Sequence, residues 1–175
     1  MRRLVLVLCG AAVLASTAAA STPAPIVVQG NTKIGTYRVQ ANGRLAGALR
    51  AFGQPTSRVR HPQHGMCVVR WARLGLRIAF YNLADKNPCL GATGFFGSAV
   101  MTGPRWRTSA GLRIGAALSA VRTRHPAARD ASEERGAGWW WLVERVAPIG
   151  TNGLEAKIFK GRVTQFRETH QAGGE

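Results

Sequence analysis

Acidic residues are scarce in this chain: 8 Asp and Glu stand against 24 Lys and Arg, and the only aspartates are Asp85 and Asp130. A hydrolytic triad needs a carboxylate to orient its base. Both aspartates fall in polar stretches and no Gly-x-Ser-x-Gly turn occurs, which argues against a serine hydrolase. Glu133 and Glu134 are neighbours whose side chains diverge, and the other acids are scattered. No carboxylate pair for glycoside cleavage is therefore expected. Cysteine is rarer still, with Cys9, Cys67 and Cys89. Long apolar runs are missing too: Leu4 to Leu14 falls short of the roughly 20 residues needed to span a bilayer, and nothing later is longer.

What the chain does have begins at Met1. Arg2 and Arg3 precede that apolar run, and Ala18-Ala19-Ala20 precede Ser21, the three-part pattern of a secretory signal peptide. The expectation is a signal over 1–20, a flexible leader over 21–33, and a secreted or envelope-associated product with no transmembrane segment once the signal is removed. A lipid on Cys9 is the rival, but a lipoprotein signal places a small residue before its cysteine and Leu8 stands there. With Cys9 in the signal, Cys67 and Cys89 are the one remaining pair, and an exported pair argues for a disulfide. Two unpaired thiols, or a metal or catalytic pair, are the alternatives.

Removing Arg2 and Arg3 lowers the net charge from +16 to +14. Such a surface attracts nucleic acid, phospholipid head groups, anionic wall polymers or acidic proteins. Arginine outnumbers lysine twenty to four, and alanine and glycine abound, so GC-rich codon usage offers a second explanation of the same charge.

About 155 residues remain, enough for one compact domain or two small modules sharing a core. Val69 and Trp71 alternate with Val68 and Arg70, and Leu76, Ile78 and Phe80 alternate with Arg77, Ala79 and Tyr81. That period predicts strands over Cys67 to Trp71 and Leu76 to Tyr81, joined by a turn at Arg73 to Gly75. An internal repeat lies at an offset of 69 residues. Tyr37-Arg38 is answered by Trp106-Arg107, and Arg44-Leu45-x-x-Ala48-Leu49-x-Ala51-Phe52 by Arg113-Ile114-x-x-Ala117-Leu118-x-Ala120-Val121. Apolar residues at i, i+3, i+4 and i+7 predict a short amphipathic helix in each copy. Pro55 and Pro126 stand where each should stop. Polar loops follow, His61 to Gly65 and Arg129 to Gly138, and then strands. In the second copy these run over Trp139 to Val146, Gly153 to Phe159 and Arg162 to Phe166, with Lys160-Gly161 as a hairpin turn. Phe95 to Val100 is one more strand.

Neither a ten-residue helix nor a lone hairpin is stable by itself. The expectation is an α+β domain of two pseudo-repeated units, 34–101 and 102–170, each a short helix packed on antiparallel strands. The sheets lie side by side or joined as one, and residues 171–175 form a disordered tail. The order helix, Gly-x-Pro, tryptophan-bearing strand, strand and closing hairpin Phe159-Lys160-Gly161-Arg162-Val163 resembles small envelope modules of the outer-membrane assembly lipoprotein type. The tandem with a disulfide resembles the secreted β-lactamase inhibitor proteins built from two such units, and uncharacterised exported proteins of GC-rich bacteria. This resemblance covers most of 43–166 and assigns no binding residue.

His64-Gly65-Met66-Cys67 resembles the His-Gly-x-Cys active-site run of the L,D-transpeptidases, with Arg70 three residues on. Gln63 stands where those enzymes have serine or threonine, and no second His-Gly occurs. A disulfide would also abolish the nucleophile. A cell-wall-modifying cysteine enzyme is thus the rival from another class. His61, His64, Met66 and Cys67 have soft-metal chemistry, but a solvated polar loop explains them equally, so neither metal nor cofactor is expected. Trp139 and Trp141 should share one strand face, with Trp140 on the other. The expectation puts the Trp140 side outward as a platform, with Arg-flanked Trp71 or Trp106 beside it, and the other face beneath the helix carrying Ile114 and Leu118. Arg70-Trp71-x-Arg73 and Arg105-Trp106-Arg107 suit nucleic acid loosely, although export argues against that partner. The sequence reading is therefore an exported non-catalytic binding module for a protein or an anionic envelope polymer, with Trp140, Trp106, Arg105 and Arg107 as its candidate binding residues. A structural envelope protein without a discrete ligand is the third option.

Overall fold

The structure, a computed structural model, describes residues 23–30, 32–39, 43–82, 84, 86–147 and 150–170. The expected signal peptide, residues 21–22 of the leader, Asp85 and the tail 171–175 lie outside the described residues. The fold is α+β and dominated by antiparallel sheet. Strands β1 (Ile26–Gln29), β2 (Lys33–Ile34) and β3 (Tyr37–Arg38) precede helix α1 (Leu45–Phe52). Strands β4 (Ser57–His61), β5 (Met66–Trp71), β6 (Leu76–Tyr81), β7 (Phe95–Met101) and β8 (Trp106–Thr108) follow. After helix α2 (Leu118–Arg124) come β9 (Arg129–Asp130), the one-turn helix α3 (Ser132–Arg135), β10 (Trp139–Ala147), β11 (Gly150–Phe159) and β12 (Arg162–Thr169). Eight strands form one sheet in the order β4-β5-β6-β7-β12-β11-β10-β9, and a smaller sheet has the order β3-β2-β1-β8.

One side of the large sheet is the core. Val69, Trp71, Leu76, Ile78, Phe80, Ala99, Met101, Ala156 and Phe166 are buried there together with Leu45 and Ala48 of α1 and Trp106 of the small sheet. Leu49 and Leu118 pack against the same cluster, partly buried. Phe52 sits at the centre of an aromatic group, its ring edge-on to Trp71 at 5.5 Å, to Tyr37 at 6.1 Å and to Trp106 at 6.5 Å. Such edge-to-face contacts add to the burial of apolar area.

Three expectations are corrected by tertiary pairing. Residues 26–29, expected in the flexible leader, form β1, which pairs in parallel with β8 and in antiparallel with β2. The second helix starts four residues later than its periodicity suggests. Residues 115–117 are instead tied to the turn between β11 and β12 and the start of β12: the Gly115 and Val163 amides donate to the Val163 and Ala116 carbonyls, and the Leu118 amide donates to the Gly161 carbonyl. Gly115, at φ +87°, turns the chain there. Ser57–His61, where no strand is expected and His61 is placed in a polar loop, is β4; four of its five residues are exposed, so no apolar alternation announced it.

The loops joining β4 to β5 and β5 to β6 share one design. Each is a single 3₁₀ turn, Pro62–His64 or Ala72–Leu74, closed by a left-handed glycine, Gly65 at φ +54° or Gly75 at φ +58°. Without a Cβ, glycine enters this region freely. Lys160 and Gly161, both left-handed at φ 47° and 71°, make the expected tight turn between β11 and β12.

Cys67 and Cys89 form the disulfide, with Cα atoms 5.2 Å apart. Cys67 is on the buried side of β5, so the bridge pins the loop that follows β6. That loop in turn receives the first amides of α1: Leu45 donates to Gly94 and Ala46 to Gly91. No side chain caps this helix, and the loop carbonyls satisfy donors that would otherwise be orphaned.

The buried His125 shares a 2.9 Å hydrogen bond between Nε2 and the Thr108 hydroxyl, and burial pushes its pKa below the ordinary 6.5. The unfolded chain therefore binds a proton more readily than the folded one. Stability should be fully present above pH 6.5 and fall as pH drops through the lowered folded value. His125→Gln should flatten that part of a urea-midpoint profile, and an unchanged slope would remove His125 as its source. The double variant Cys67→Ser with Cys89→Ser should lose about 3 kcal/mol. This corresponds to about 6–12 °C in Tm, with faster hydrogen exchange at Leu45 and Ala46; equal thermal stability would show that the bridge is dispensable.

Candidate functional site

The second side of the large sheet carries neither α1 nor α2. Directly paired residues share a sheet face, so the register traces one row over it from edge to edge: Ser57, Arg70, Arg77, Val100, Arg167, Glu155, Trp141 and Arg129. Beside it runs Val59, Val68, Ala79, Ser98, Thr169 and Gly153. His61, Met66, Tyr81 and Phe95 form a shorter row over the first four strands. Val59 and Phe95 are 49% and 45% exposed. Tyr81 lies across Gly97, where even a methyl group would collide with its ring.

The two ends of the long row differ in charge compensation. Arg70 and Arg77 are exposed and directly opposite, an arrangement that destabilises a strand pair. Among the described residues neither has an ion-pair partner. Composition explains this: residues 34–101 hold nine Arg and Lys and a single acid, Asp85.

At the other end the cations are matched. Glu155 is fully buried, and its Oε1 accepts from Arg135 Nε at 2.9 Å while its Oε2 accepts from Arg167 Nε. The Arg167 guanidinium also stacks on Trp139, 4.0 Å from the ring centroid, and Lys157 lies 5.2 Å from the same ring. Arg135 stacks on Trp141 at 5.0 Å, and the Trp141 indole N–H donates to Glu134 Oε2 at 3.0 Å. Glu134 also accepts from Arg129 at 2.6 Å, and that hydrogen bond, followed by the one from Trp141, holds its carboxyl below the usual range. With Ala131, the two tryptophans make a small second core on this side, roofed by α3. Cations over aromatic rings and paired with carboxylates are held in place rather than offered to solvent.

The four candidate binding residues are not brought together on this face. Trp106 is fully buried, its indole N–H donating to the Leu74 carbonyl at 2.6 Å. Trp140 points to the covered side, packed against the main core with the Arg122 guanidinium of α2 5.5 Å from its ring. The outward and inward tryptophans of β10 are thus the reverse of the expectation, because α2 covers the Trp140 side. Arg105 is partly buried and donates from Nε to the Ala24 carbonyl at 3.0 Å. Arg107 is exposed on β8 of the small sheet, where its backbone bridges Arg113. In their place the open face presents Arg70, Arg77, Val59, Val68 and Phe95. The alternation over 67–81 already put Arg70, Arg77 and Val68 on one side; their lack of acidic partners was legible in the absence of acids around them.

Cys67, the nucleophile of the rival enzyme reading, is bonded to Cys89. His64 is exposed in the 3₁₀ turn. Among the described residues no three His, Cys, Asp or Glu side chains gather in a metal-holding group, and no helix is long and apolar enough to cross a membrane.

No protein-family model and no curated protein matches the sequence. Among solved structures the chain is similar to an extracellular protein containing a SCP domain from Bacillus anthracis str. Ames. The identity is 12%, over 73% of this chain and 43% of that one, with a TM-score of 0.42. The chain spans less than half of that protein's length, and so distant a likeness assigns no ligand or activity.

Removing the buried carboxylate should expose how much the second half of the face depends on it. Glu155→Ala leaves two guanidinium groups unmatched and should cost about 3 kcal/mol, the low end of the range because both arginines keep some contact with water. Urea unfolding followed by tryptophan fluorescence reads the change, and a midpoint equal to wild type would remove Glu155 as the anchor of this network.

Proposed function

We propose that the chain is an exported, non-catalytic binding module that engages a protein or an anionic envelope component through the open face of its eight-stranded sheet. The observation that carries this reading is the uncompensated pair Arg70 and Arg77 beside exposed apolar side chains, on the half of the face that α3 leaves uncovered. Like charges held in register without a carboxylate cost stability, and a bound anion would relieve that cost. Apolar residues among them supply area for burial. Export is supported by the three-part pattern at Met1 to Ala20 and by the disulfide, which persists in oxidising compartments.

The strand order supports the two-unit reading. Strands β4 to β7 follow α1 in sequence and in space, β9 to β12 follow α2, and the two series meet at their last members, β7 and β12. Tyr37 and Trp106, 69 residues apart, are both buried in short strands of the small sheet. Two tandem helix-and-sheet units joined through their closing strands would give this arrangement, which agrees with the resemblance to two-unit secreted inhibitor proteins. The cysteine-enzyme alternative gains no support, since its sulfur is bonded.

Retention of the oxidised protein on isolated cell envelope tests the reading. Saturable binding should fall steeply between about 50 and about 500 mM salt. Arg70→Ser with Arg77→Ser should weaken it about tenfold while leaving the thermal midpoint unchanged or raised. Retention that never saturates favours a structural envelope protein, and equal retention of the double variant would take the open face out of the binding.

A further inference from the structure

We propose that β4 is a docking edge that receives an extended acidic peptide segment of a partner protein as one further strand. The inference rests on the reading of the chain as a binding module and extends it from the face of the sheet to its rim. The two rims of the large sheet are unlike. At one end β9 is two residues long and runs directly into α3, a short edge that offers little to a neighbour. At the other, β4 has five residues, no internal proline, and β5 as its one strand partner among the described residues. Every second amide and carbonyl of such a strand faces away from its partner. These groups form a ladder that a peptide backbone completes and a sugar or phosphate polymer does not.

The side chains specify which peptide. Arg58 and Arg60 are paired with Val69 and Cys67 and so share one side of the strand. Both are exposed, and neither has an ion-pair partner among the described residues. Val59, 49% exposed, is on the opposite side beside Val68. Edge arginines oppose pairing with a second copy of the same strand, and the same charges favour an acidic one. The complementary segment alternates, with acidic side chains beside Arg58 and Arg60 and an apolar one beside Val59.

The probe is a seven-residue peptide alternating glutamate and valine, compared with a peptide of the same composition written in two blocks. Fluorescence anisotropy should show the alternating peptide binding at least about tenfold more tightly, because only it places carboxylates and valine on opposite sides of a strand. Hydrogen exchange should slow at the amides of 57–61. Arg58→Glu with Arg60→Glu should abolish this binding and create binding of a lysine–valine alternating peptide, which also shows that the variant is folded. Equal affinity for the alternating and block peptides would mean simple attraction of polyanions and overturns the proposal, as does exchange protection confined to 66–81 or an absence of binding. Because this variant leaves Arg70 and Arg77 in place, its envelope retention separates failure of the edge from failure of the face.

Discussion

Antiparallel pairing of β7 with β12 is the contact on which the rest of the molecule depends. Met101 opposite Phe166 and Ala99 opposite Glu168 join the strands following α1 to those following α2. Without that seam each set of four strands would end in a bare edge, β7 or β12, and have an apolar side too small to bury a helix stably. With it, one interior receives both helices and Trp106 of the small sheet. The parallel contact of β1 with β8 is a second tie between distant parts of the chain, and fixes the small sheet over α1. The disulfide acts more locally, holding the loop whose carbonyls cap α1.

The seam also divides the open face into chemically different halves. Beyond β12, Glu155 holds two guanidinium groups, Glu134 holds Arg129 and the Trp141 indole, and α3 roofs the tryptophans. Their cationic and aromatic groups are already engaged within the fold. On the β4 to β7 side the arginines have no such carboxylates. Acids occur almost wholly in the second half of the chain, so this difference in primary structure becomes a spatial one. Charge that is matched internally stabilises the fold, and the unmatched Arg70 and Arg77 stay exposed to solvent.

Much of the secondary structure was legible. Strand β6 occupies the residues its alternation predicts, β5, β7 and β10 to β12 extend their expected ranges by a few residues, and α1 agrees to within one residue. These elements bury one stripe or one face, so composition follows geometry. Strand β4 was hidden for the opposite reason: as an exposed edge it needs no apolar alternation. Strand β1 was hidden because its partner β8 lies about 80 residues away. The site was less legible than the fold. Trp139, Trp140 and Trp141 announce an aromatic strand, but three identical residues in succession carry no sign of which side a helix will cover.

The sequence by itself determined the cysteine pair, the hairpin spanning Cys67 to Tyr81, the short helix after Arg44 and the excess of arginine over acid, because each follows from local periodicity or from counting. Tertiary structure alone decided that β7 meets β12, that Trp106 and Trp140 pack toward the main core, and that Trp139 and Trp141 are buried on the other side of the sheet beneath α3. Those outcomes depend on contacts between residues far apart in the chain, and local patterning is blind to which of two equally apolar faces becomes the interior.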